Sequence, residues 1–245
     1  MKKINVLIPA AGRGSRSGLS IPKSLQEING IPIIIRICNQ LSKYDNDPKI
    51  IINQKDEALF LAAFKKYEIN ARLIYQNTPL GMGHAILQAK DYIKDGEEIL
   101  LVWSDIPFLQ KSTIDGLVFN HLKARNIFSL ASYVCSNPYT LVERINGKVV
   151  KLLETHKNIF LDKVTKGERD IGLFIFDKKI VFDLLEKDFE EFDTTSKVEF
   201  GFLSIIEKIS ANKWNIDAYA IATEKDILSF NTPEDLIKIL AMIDE

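Results

Sequence analysis

The feature that most constrains this chain is an alternation of short, apolar, β-branched runs with segments of helical period. Five such runs predict strands at Ile4–Pro9, Lys49–Asn53, Arg72–Tyr75, Ile99–Trp103 and Phe128–Val134. Helical spacing between them predicts helices at Ile33–Tyr44, Lys55–Tyr67, Met82–Ile93 and Thr113–Arg125. Near-continuous apolar strands are typical of a sheet buried on both faces, so we predict a Rossmann-like, mostly parallel sheet with helices on both sides.

The pattern changes after Tyr133 and becomes richer in strands. Two apolar runs flank Asn146-Gly147, which predicts a β-hairpin. Later segments predict a strand, two helices, a strand and a capped C-terminal helix at Ile171–Phe176, Lys178–Lys187, Gly201–Ala211, Trp214–Ile221 and from Thr232 onward. We therefore predict one mixed α/β domain over 1–245, with a first half (1–135), a small β-rich lobe (136–225) and a terminal helix (226–245).

Composition excludes several classes of function. The 245 residues include 32 basic and 33 acidic side chains, a formal net charge of -1, so no overall field favours nucleic acid or an anionic membrane. Cys38 and Cys135 lie far apart in apolar segments, which indicates buried, reduced thiols. The N-terminal apolar run is shorter than the ~7–15 residues of a signal peptide, and no window approaches the ~18 of a membrane span. A cytoplasmic protein is expected.

A loop of small residues follows the first strand and predicts an anion site. After Pro9, which has no N–H itself, the small residues leave backbone N–H groups open to a bound phosphate: Ala10, Ala11, Gly12, Gly14 and Ser15. All six residues are expected to bind the nucleotide. The loop fits neither the G-x-x-x-x-G-K-[ST] pattern nor G-x-G-x-x-G, so the usual kinase and dehydrogenase readings lose support. Arg16 can offer paired donors and Lys23, after Pro22, a compact charge, which suits a reaction that expels pyrophosphate.

These residues resemble a known signature. The run from Pro9 to Arg16 with Pro22-Lys23 is similar to the L-A-A-G-x-G-T-R…P-K pattern of the nucleotide-sugar pyrophosphorylases. Five further segments resemble, in order, motifs of the bacterial N-acetylglucosamine-1-phosphate uridylyltransferases: Gln76 with Leu80–Ala85, Trp103–Pro107, Leu153–Lys157, Gly172–Asp177 and Asn231–Asp235. The resemblance thus covers almost the whole chain.

The resemblance implies a Mg²⁺-dependent nucleotidyltransferase in which Asp105 and Asn231 hold the metal and Gln76, Gly81 and Met82 contact a pyrimidine nucleotide. An acceptor phosphate would attack the α-phosphorus of UTP or CTP and expel pyrophosphate, in the synthesis of surface glycan precursors. Catalytic roles fall to Arg16, Lys23 and Asp105. No nucleic-acid partner and no membrane span are expected, and a homo-oligomer is left open.

The acceptor half departs from that pattern. We expect Thr140, Glu154, Asp170 and Glu199 to bind the acceptor. Thr140 stands where the family has glycine, and Asp170 replaces an amide with an acceptor-only carboxylate. A sugar 1-phosphate is the first expectation. An acid in that pocket also suits an amine or quaternary ammonium, as in the choline-phosphate cytidylyltransferases that the chain resembles in size and in its first loop.

Some of these residues also have purely structural interpretations. Asp105 could cap a helix, and Glu154 and Asp170 could be surface charges of the hairpin region. From another functional class, the chain could be a catalytically silent nucleotide-binding homologue. Retention of Arg16, Lys23, Asp105 and Asn231 together argues against that last reading.

Overall fold

The computed structural model describes residues 2–12, 21–154, 164–195 and 198–230, together with residues 235, 237 and 239. The strands in these ranges are β1 (Ile4–Pro9), β2 (Glu27–Ile28), β3 (Ile31–Pro32), β4 (Lys49–Ile52), β5 (Arg72–Tyr75), β6 (Glu98–Val102), β7 (Phe128–Ser136), β8 (Thr140–Ile145), β9 (Lys148–Glu154), β10 (Lys166–Asp177) and β11 (Ile216–Tyr219). The α-helices there are α1 (Ile33–Leu41), α2 (Glu57–Lys66), α3 (Met82–Leu87), α4 (Lys111–Ala124), α5 (Lys178–Glu190) and α6 (Ile205–Ala211).

Seven strands form the main sheet, in the order β11-β7-β10-β6-β1-β4-β5. All neighbours pair in parallel except β10, which runs antiparallel to both β6 and β7. The predicted mixed, mostly parallel sheet is therefore confirmed. Because β10 alone is reversed, its N-terminal end lies at the edge where the other six strands end.

Each central strand contributes to two hydrophobic cores, one on either face of the sheet. In β1, Val6 and Ile8 lie in one core and Leu7 in the other. The same alternation continues in β6, where Leu100 and Leu101 face opposite cores. Since successive side chains of a strand point to opposite faces, an unbroken apolar run is what a strand between two helical layers requires.

The predicted hairpin forms from β8 and β9, as a separate two-stranded sheet. Asn146 and Gly147 have φ values of 51° and 77°, the left-handed conformations that a two-residue I′ turn needs.

Several predicted boundaries moved by one to three residues, and three moved further. The helix predicted over Met82–Ile93 ends at Leu87, and a short 3₁₀ helix follows at Lys90–Tyr92. The helix predicted from Gly201 begins at Ile205. Phe200, just before Gly201, forms backbone hydrogen bonds with Leu80 and Gly83 instead. β10 begins at Lys166, five residues before the apolar run that predicted it.

Two smaller expectations concern thiols and membrane spans. Cys38 and Cys135 are free, the first buried and the second half-buried, so the prediction of a buried thiol holds for Cys38 alone. Among the described residues, none of the helices is both long and apolar enough to cross a bilayer.

Candidate active site

Several predicted site residues in the described part of the chain lie at one edge of the main sheet. The carboxyl ends of β1, β5 and β6 lie at this edge, and the segments that follow carry Gly12, Gln76 and Asp105. Open α/β sheets bind ligands outside the carboxyl ends of their strands. The reversed β10 brings Arg169 and Asp170 to the same edge.

The first loop leaves its strand in a fixed direction. The Ala10 amide donates to the Ile51 carbonyl at 2.7 Å, and Ala10 and Ala11 are buried. Gly12 is exposed, and no described atom lies within 4 Å of the place where its Cβ would be. Within the described part of the chain, nothing crowds the backbone at Gly12. Gly14, Ser15 and Arg16 lie outside the described residues.

Lys23 begins a short 3₁₀ helix whose backbone is held by local hydrogen bonds. The Leu25 amide donates to the Pro22 carbonyl at 2.9 Å, and the Gln26 amide to the Lys23 carbonyl at 3.0 Å. Ser24 and Leu25 are buried, whereas Lys23 is half-buried. The turn thus fixes the backbone from which the Lys23 side chain extends.

Asp105 follows β6 and is held from two sides. The Trp103 amide donates to the Gly172 carbonyl at 2.9 Å, and the Asp105 carbonyl accepts from the Phe230 amide at 2.8 Å. Asp105 is half-buried, and the next helix begins only at Lys111 with Gln110 as its N-cap. The reading of Asp105 as a helix cap is therefore wrong. Asn231, the residue after Phe230, lies outside the described residues.

A buried carboxylate that the sequence did not reveal fixes the segment leading to Phe230. Asp226 has no exposed surface and accepts from the Gln110 amide, the Thr113 hydroxyl, and both the amide and hydroxyl of Thr223, at 2.7–2.9 Å. The bonds from Gln110 and Thr113 tie the segment to the start of α4, and the two from Thr223 close a turn within the segment. Only the Thr223-x-x-Asp226 spacing hinted at a local turn.

Gln76, at the end of β5, is buried and oriented by two neighbours. Its Nε2 donates to the Gly81 carbonyl at 3.1 Å and lies 2.9 Å from Nδ1 of His84. Burial lowers the pKa of His84, although the Thr78 carbonyl opposes that shift. A neutral His84 can accept at Nδ1, so the Gln76 amide nitrogen is occupied and its oxygen remains the group that can bind elsewhere.

The loop after Gln76 also packs against the second half of the chain. A Cβ on Gly81 would lie 2.5 Å from the Phe200 carbonyl oxygen, and Gly81 has a φ of +113°. The Gly83 amide donates to the Phe200 carbonyl at 3.0 Å, and the Phe200 amide donates to Leu80 at 2.7 Å. The glycines thus permit this contact, which places the exposed Glu199 beside the loop. Met82 is half-buried as the first residue of α3.

Thr140 and Asp170 lie beneath the surface of the acceptor half. Asp170 is 1% exposed, and its carboxylate accepts from the Thr140 hydroxyl at 2.5 Å and from the Gly172 amide at 2.9 Å. Burial raises the pKa of Asp170, while these two donors oppose the shift. The surface-charge reading is therefore wrong for Asp170. Glu154 is half-buried and pairs with Thr140 in the hairpin register.

Substitution of Asp170 tests this buried arrangement. We expect Asp170→Ala to lower the free energy of unfolding by about 2 kcal/mol or more, because the Thr140 hydroxyl and the Gly172 amide lose buried partners. Asp170→Asn can still accept from Gly172 and donate to Thr140, so its loss should be much smaller. Chemical denaturation of both variants measures the difference, and equal losses would contradict the assigned bonds.

Comparison of the wild type with Asp170→Asn also tests a pH effect on stability. The raised pKa of Asp170 means that the folded chain binds its proton more tightly than the unfolded chain. Stability from this group is therefore present at low pH and lost as the pH rises from ~4 through the raised pKa. Asp170→Asn should lack that part of the wild-type decline in denaturation measured from pH 4 upward; parallel profiles would contradict the burial of a titrating carboxyl.

Sequence reasoning also missed a cation beside Asp170. The Arg169 guanidinium lies over the Tyr139 ring, with its Cζ 3.8 Å from the centroid, and Nε donates to the Asp170 carbonyl at 3.0 Å. Partial burial, and then the carboxylates of Asp170 and Asp105, raise the pKa of Tyr139, which is 43% exposed. Tyr139 therefore lies within electrostatic reach of Asp105. Thirty positions separate Arg169 from Tyr139, so no local pattern could have paired them.

An open depression of about 520 Å³ adjoins this region. It is lined by the end of β7 and by the segment that Asp226 anchors, and includes Tyr133, Lys166 and Glu224. Tyr133 is the strand partner of Arg169, so the depression continues the edge on which Arg169 lies.

Comparison with known proteins agrees with this geometry. Residues 6–159 match the MobA-like NTP transferase domain. The chain is 31% identical over 186 residues to the bifunctional protein GlmU of Fervidobacterium nodosum, which covers 75% of this chain and 40% of that protein. The chain spans about 40–50% of the length of the curated relatives it matches.

Solved structures share the fold. The CTP:phosphocholine cytidylyltransferase of Streptococcus pneumoniae has a TM-score of 0.72 at 15% identity and covers 98% of this chain and 99% of its own. A nucleoside-diphosphate-sugar pyrophosphorylase of Vibrio cholerae has a TM-score of 0.74 at 17% identity, over 96% and 99% of the two chains. The family match spans the first loop, the Gln76 segment and Asp105. These residues share one edge of a sheet of the same architecture, and the chain belongs to the MobA-like NTP transferase family.

Proposed function

We propose that this chain transfers a nucleoside monophosphate from UTP or CTP to a phosphorylated small molecule, first of all a sugar 1-phosphate, and releases pyrophosphate. The observation that carries the proposal is the convergence of the Gly12 loop, Gln76 and Asp105 at one sheet edge, within the family match. Synthesis of a surface glycan precursor and a cytoplasmic location belong to the same proposal.

The protein groups suit a polyphosphate and a pyrimidine. The backbone at Gly12 leaves room for phosphate oxygens, and Lys23 extends from an anchored turn as a compact charge. The orientation of Gln76 leaves an acceptor oxygen, which suits the N3–H of uracil and the amino group of cytosine alike. Gln76 therefore does not separate UTP from CTP.

The residues around Asp105 fit a Mg²⁺ ion. Mg²⁺ keeps several waters and needs only one or two carboxylates together with nucleotide phosphates. The half-buried Asp105 can supply one oxygen ligand, and the bond from Phe230 brings the chain to Asp105 one residue before Asn231. No cluster of three or more His, Cys, Asp or Glu side chains stands ready to hold a metal in the described part of the chain. Mg²⁺ bound there would neutralise charge on the nucleotide phosphates.

The proposed chemistry needs positioning more than covalent participation. An oxygen of the acceptor phosphate attacks the α-phosphorus in line, the bond from the α-phosphorus to the bridging oxygen breaks, and that oxygen leaves with pyrophosphate. Lys23 would stabilise the charge that builds on the transferring and leaving groups. No protein nucleophile is required.

The test is a matrix of reactions that measures pyrophosphate release. UTP, CTP, ATP and GTP are each combined with Mg²⁺ and with a panel of sugar 1-phosphates, phosphocholine and other phosphorylated amines. We expect release with a pyrimidine triphosphate and a sugar 1-phosphate. Release with CTP and phosphocholine alone would replace the sugar by a non-sugar acceptor, and no release with any pair would favour a silent nucleotide-binding homologue.

Asp105→Asn tests the proposed metal ligand. We expect the Mg²⁺ concentration for half-maximal activity to rise about tenfold or more, because an amide oxygen carries no charge to hold the ion. Asp115→Asn is the matched control, since Asp115 is a half-buried carboxylate of α4 that binds Lys43 and Tyr44. An unchanged Mg²⁺ response in Asp105→Asn would move the metal elsewhere.

A further inference from the structure

The pair of Arg169 and Tyr139 is a preformed cationic surface on the acceptor side of the edge. The guanidinium stacks on the Tyr139 ring, and Nε is fixed by the Asp170 carbonyl. The Tyr139 hydroxyl is also a hydrogen-bonding neighbour of Arg169. Beyond these, the guanidinium has no further hydrogen-bond acceptor among residues 2–12, 21–154, 164–195 and 198–230. Arg169 is only half-buried, so its remaining donors can reach a ligand.

The carboxylates next to Arg169 in sequence are occupied by other groups. Asp170 accepts from Thr140 and Gly172 inside the protein. Glu168 accepts from the Arg144 guanidinium at 2.9 and 3.1 Å and from the Ser132 hydroxyl at 2.6 Å. In the described part of the chain, neither acid forms a salt bridge with Arg169, although the Asp170 carboxylate lies close enough to interact with its charge. The remaining guanidinium donors are therefore available to an anion.

The backbone of β10 is irregular directly after Arg169 and Asp170. The pairing of β10 with β7 shifts register after Asp170. The five residues from Asp170 to Phe174 lie opposite only three residues of β7, from Leu130 to Ser132. Such bulges bend a strand and redirect its side chains, and they are frequent next to active sites. Gly172, inside the irregularity, has a φ of +77° and packs against Trp103. The distortion therefore places Gly172, three residues after Arg169, against Trp103 in the segment that carries Asp105.

We propose that Arg169, held on Tyr139, binds the phosphate of the acceptor and positions it for attack. The inference rests on the proposed function and deepens it, because it assigns the second substrate a binding group on β10. Arginine suits this task since its planar fork can donate two parallel bonds to phosphate oxygens. Lys166, on the rim of the adjoining depression, adds a second positive charge on this side.

The same geometry disfavours a quaternary ammonium as the other end of the acceptor. Such groups bind over aromatic faces or beside free carboxylates. One face of Tyr139 is already covered by a cation, and Asp170 is turned inward. The acid that suggested an amine acceptor thus supports the fold of β10 instead of facing the pocket.

The direct test is a titration of the whole chain with inorganic phosphate, in which the NMR chemical shifts of the backbone amides are measured. We expect saturable shifts at Arg169 to Gly172 in the wild type, and an affinity at least about tenfold weaker in Arg169→Met and Arg169→Gln, since one charged donor group is lost. Arg169→Gln keeps a donor and serves if the methionine variant folds poorly. Arg72→Met, which removes an exposed arginine paired with Asp47, should leave the response unchanged.

Kinetics give the second readout. With any productive pair from the reaction matrix, Arg169→Gln should raise KM for the acceptor at least about tenfold and leave KM for the triphosphate within about twofold. Unchanged phosphate shifts in the Arg169 variants, or equal changes in both KM values, would overturn the proposal. If no pair turns over but the Arg169 variants lose the phosphate response, the anion site stands and the proposed transfer reaction fails.

Discussion

Replacing Lys23 with alanine is expected to lower kcat about 10²- to 10³-fold without unfolding the chain. The reason is the charge that builds on the α-phosphorus and on the departing pyrophosphate, which a positioned cation stabilises most in the transition state. The turn that carries Lys23 is anchored through the backbone of Pro22 and Leu25, so removal of the side chain should leave it in place. Steady-state kinetics with the best pair from the reaction matrix measures the loss.

Lys65→Ala is the matched control, because Lys65 is an exposed lysine on α2. It should keep wild-type kcat, and both variants should show the wild-type midpoint of denaturation. Wild-type turnover in Lys23→Ala would mean that this lysine does not serve the reacting phosphates.

Gly172→Ala is expected to lower the free energy of unfolding by about 2–5 kcal/mol. A Cβ at this position would lie 2.2 Å from Cδ1 and 2.6 Å from Cγ of Trp103, and 3.0 Å from Ile106. Overpacking of that kind costs about 1–3 kcal/mol, and the φ of +77° adds about 1–2 kcal/mol for a residue with a Cβ. Chemical denaturation gives the value.

Gly147→Ala separates the two contributions. Gly147 has the same φ of +77°, but no atom of the described residues lies within 4 Å of its prospective Cβ. This variant should show the backbone cost alone, about 1–2 kcal/mol. A Gly172→Ala variant no less stable than Gly147→Ala would show that Trp103 does not occupy the space beside Gly172.

The parallel part of the fold could be predicted because a strand that is buried on both faces has a recognisable apolar sequence. The runs at β1 and β6 are apolar at successive positions, and only a strand covered on both faces needs apolar side chains on both faces. The hairpin was equally accessible, since Asn146-Gly147 matches the backbone that its turn requires. These signals are local, and each depends on residues within one element.

The reversed strand could not be predicted in the same way. β10 is apolar on both faces, as a parallel strand would be, and nothing in Leu173–Phe176 records direction or neighbours. Its pairing with β6 and β7 depends on contacts across 30 or more positions. The Asp226 bonds and the Arg169–Tyr139 stack share that non-local origin.

The candidate site was predicted where motifs carry it and missed where packing decides. Gln76 and Asp105 occupy the expected sheet edge. Thr140 and Asp170 were expected to face an acceptor, but the structure joins them to each other below the surface. A sequence shows that a carboxylate is present, and only the fold shows which donors reach it first. Direct contact of the acceptor with Thr140, Glu154, Asp170 or Glu199 stays a prediction.

The placement of the nucleotide is the central claim, and paramagnetic broadening tests it most directly. Mn²⁺ replaces Mg²⁺ in the presence of UTP or CTP, and the loss of amide NMR signals is mapped along the chain. We predict losses centred on Asp105 and Gly12 and reaching Gln76, with the amide of His121, buried beside Glu98, preserved. Losses centred away from the carboxyl ends of β1 and β6, with Asp105 and Gly12 unaffected, would contradict the account.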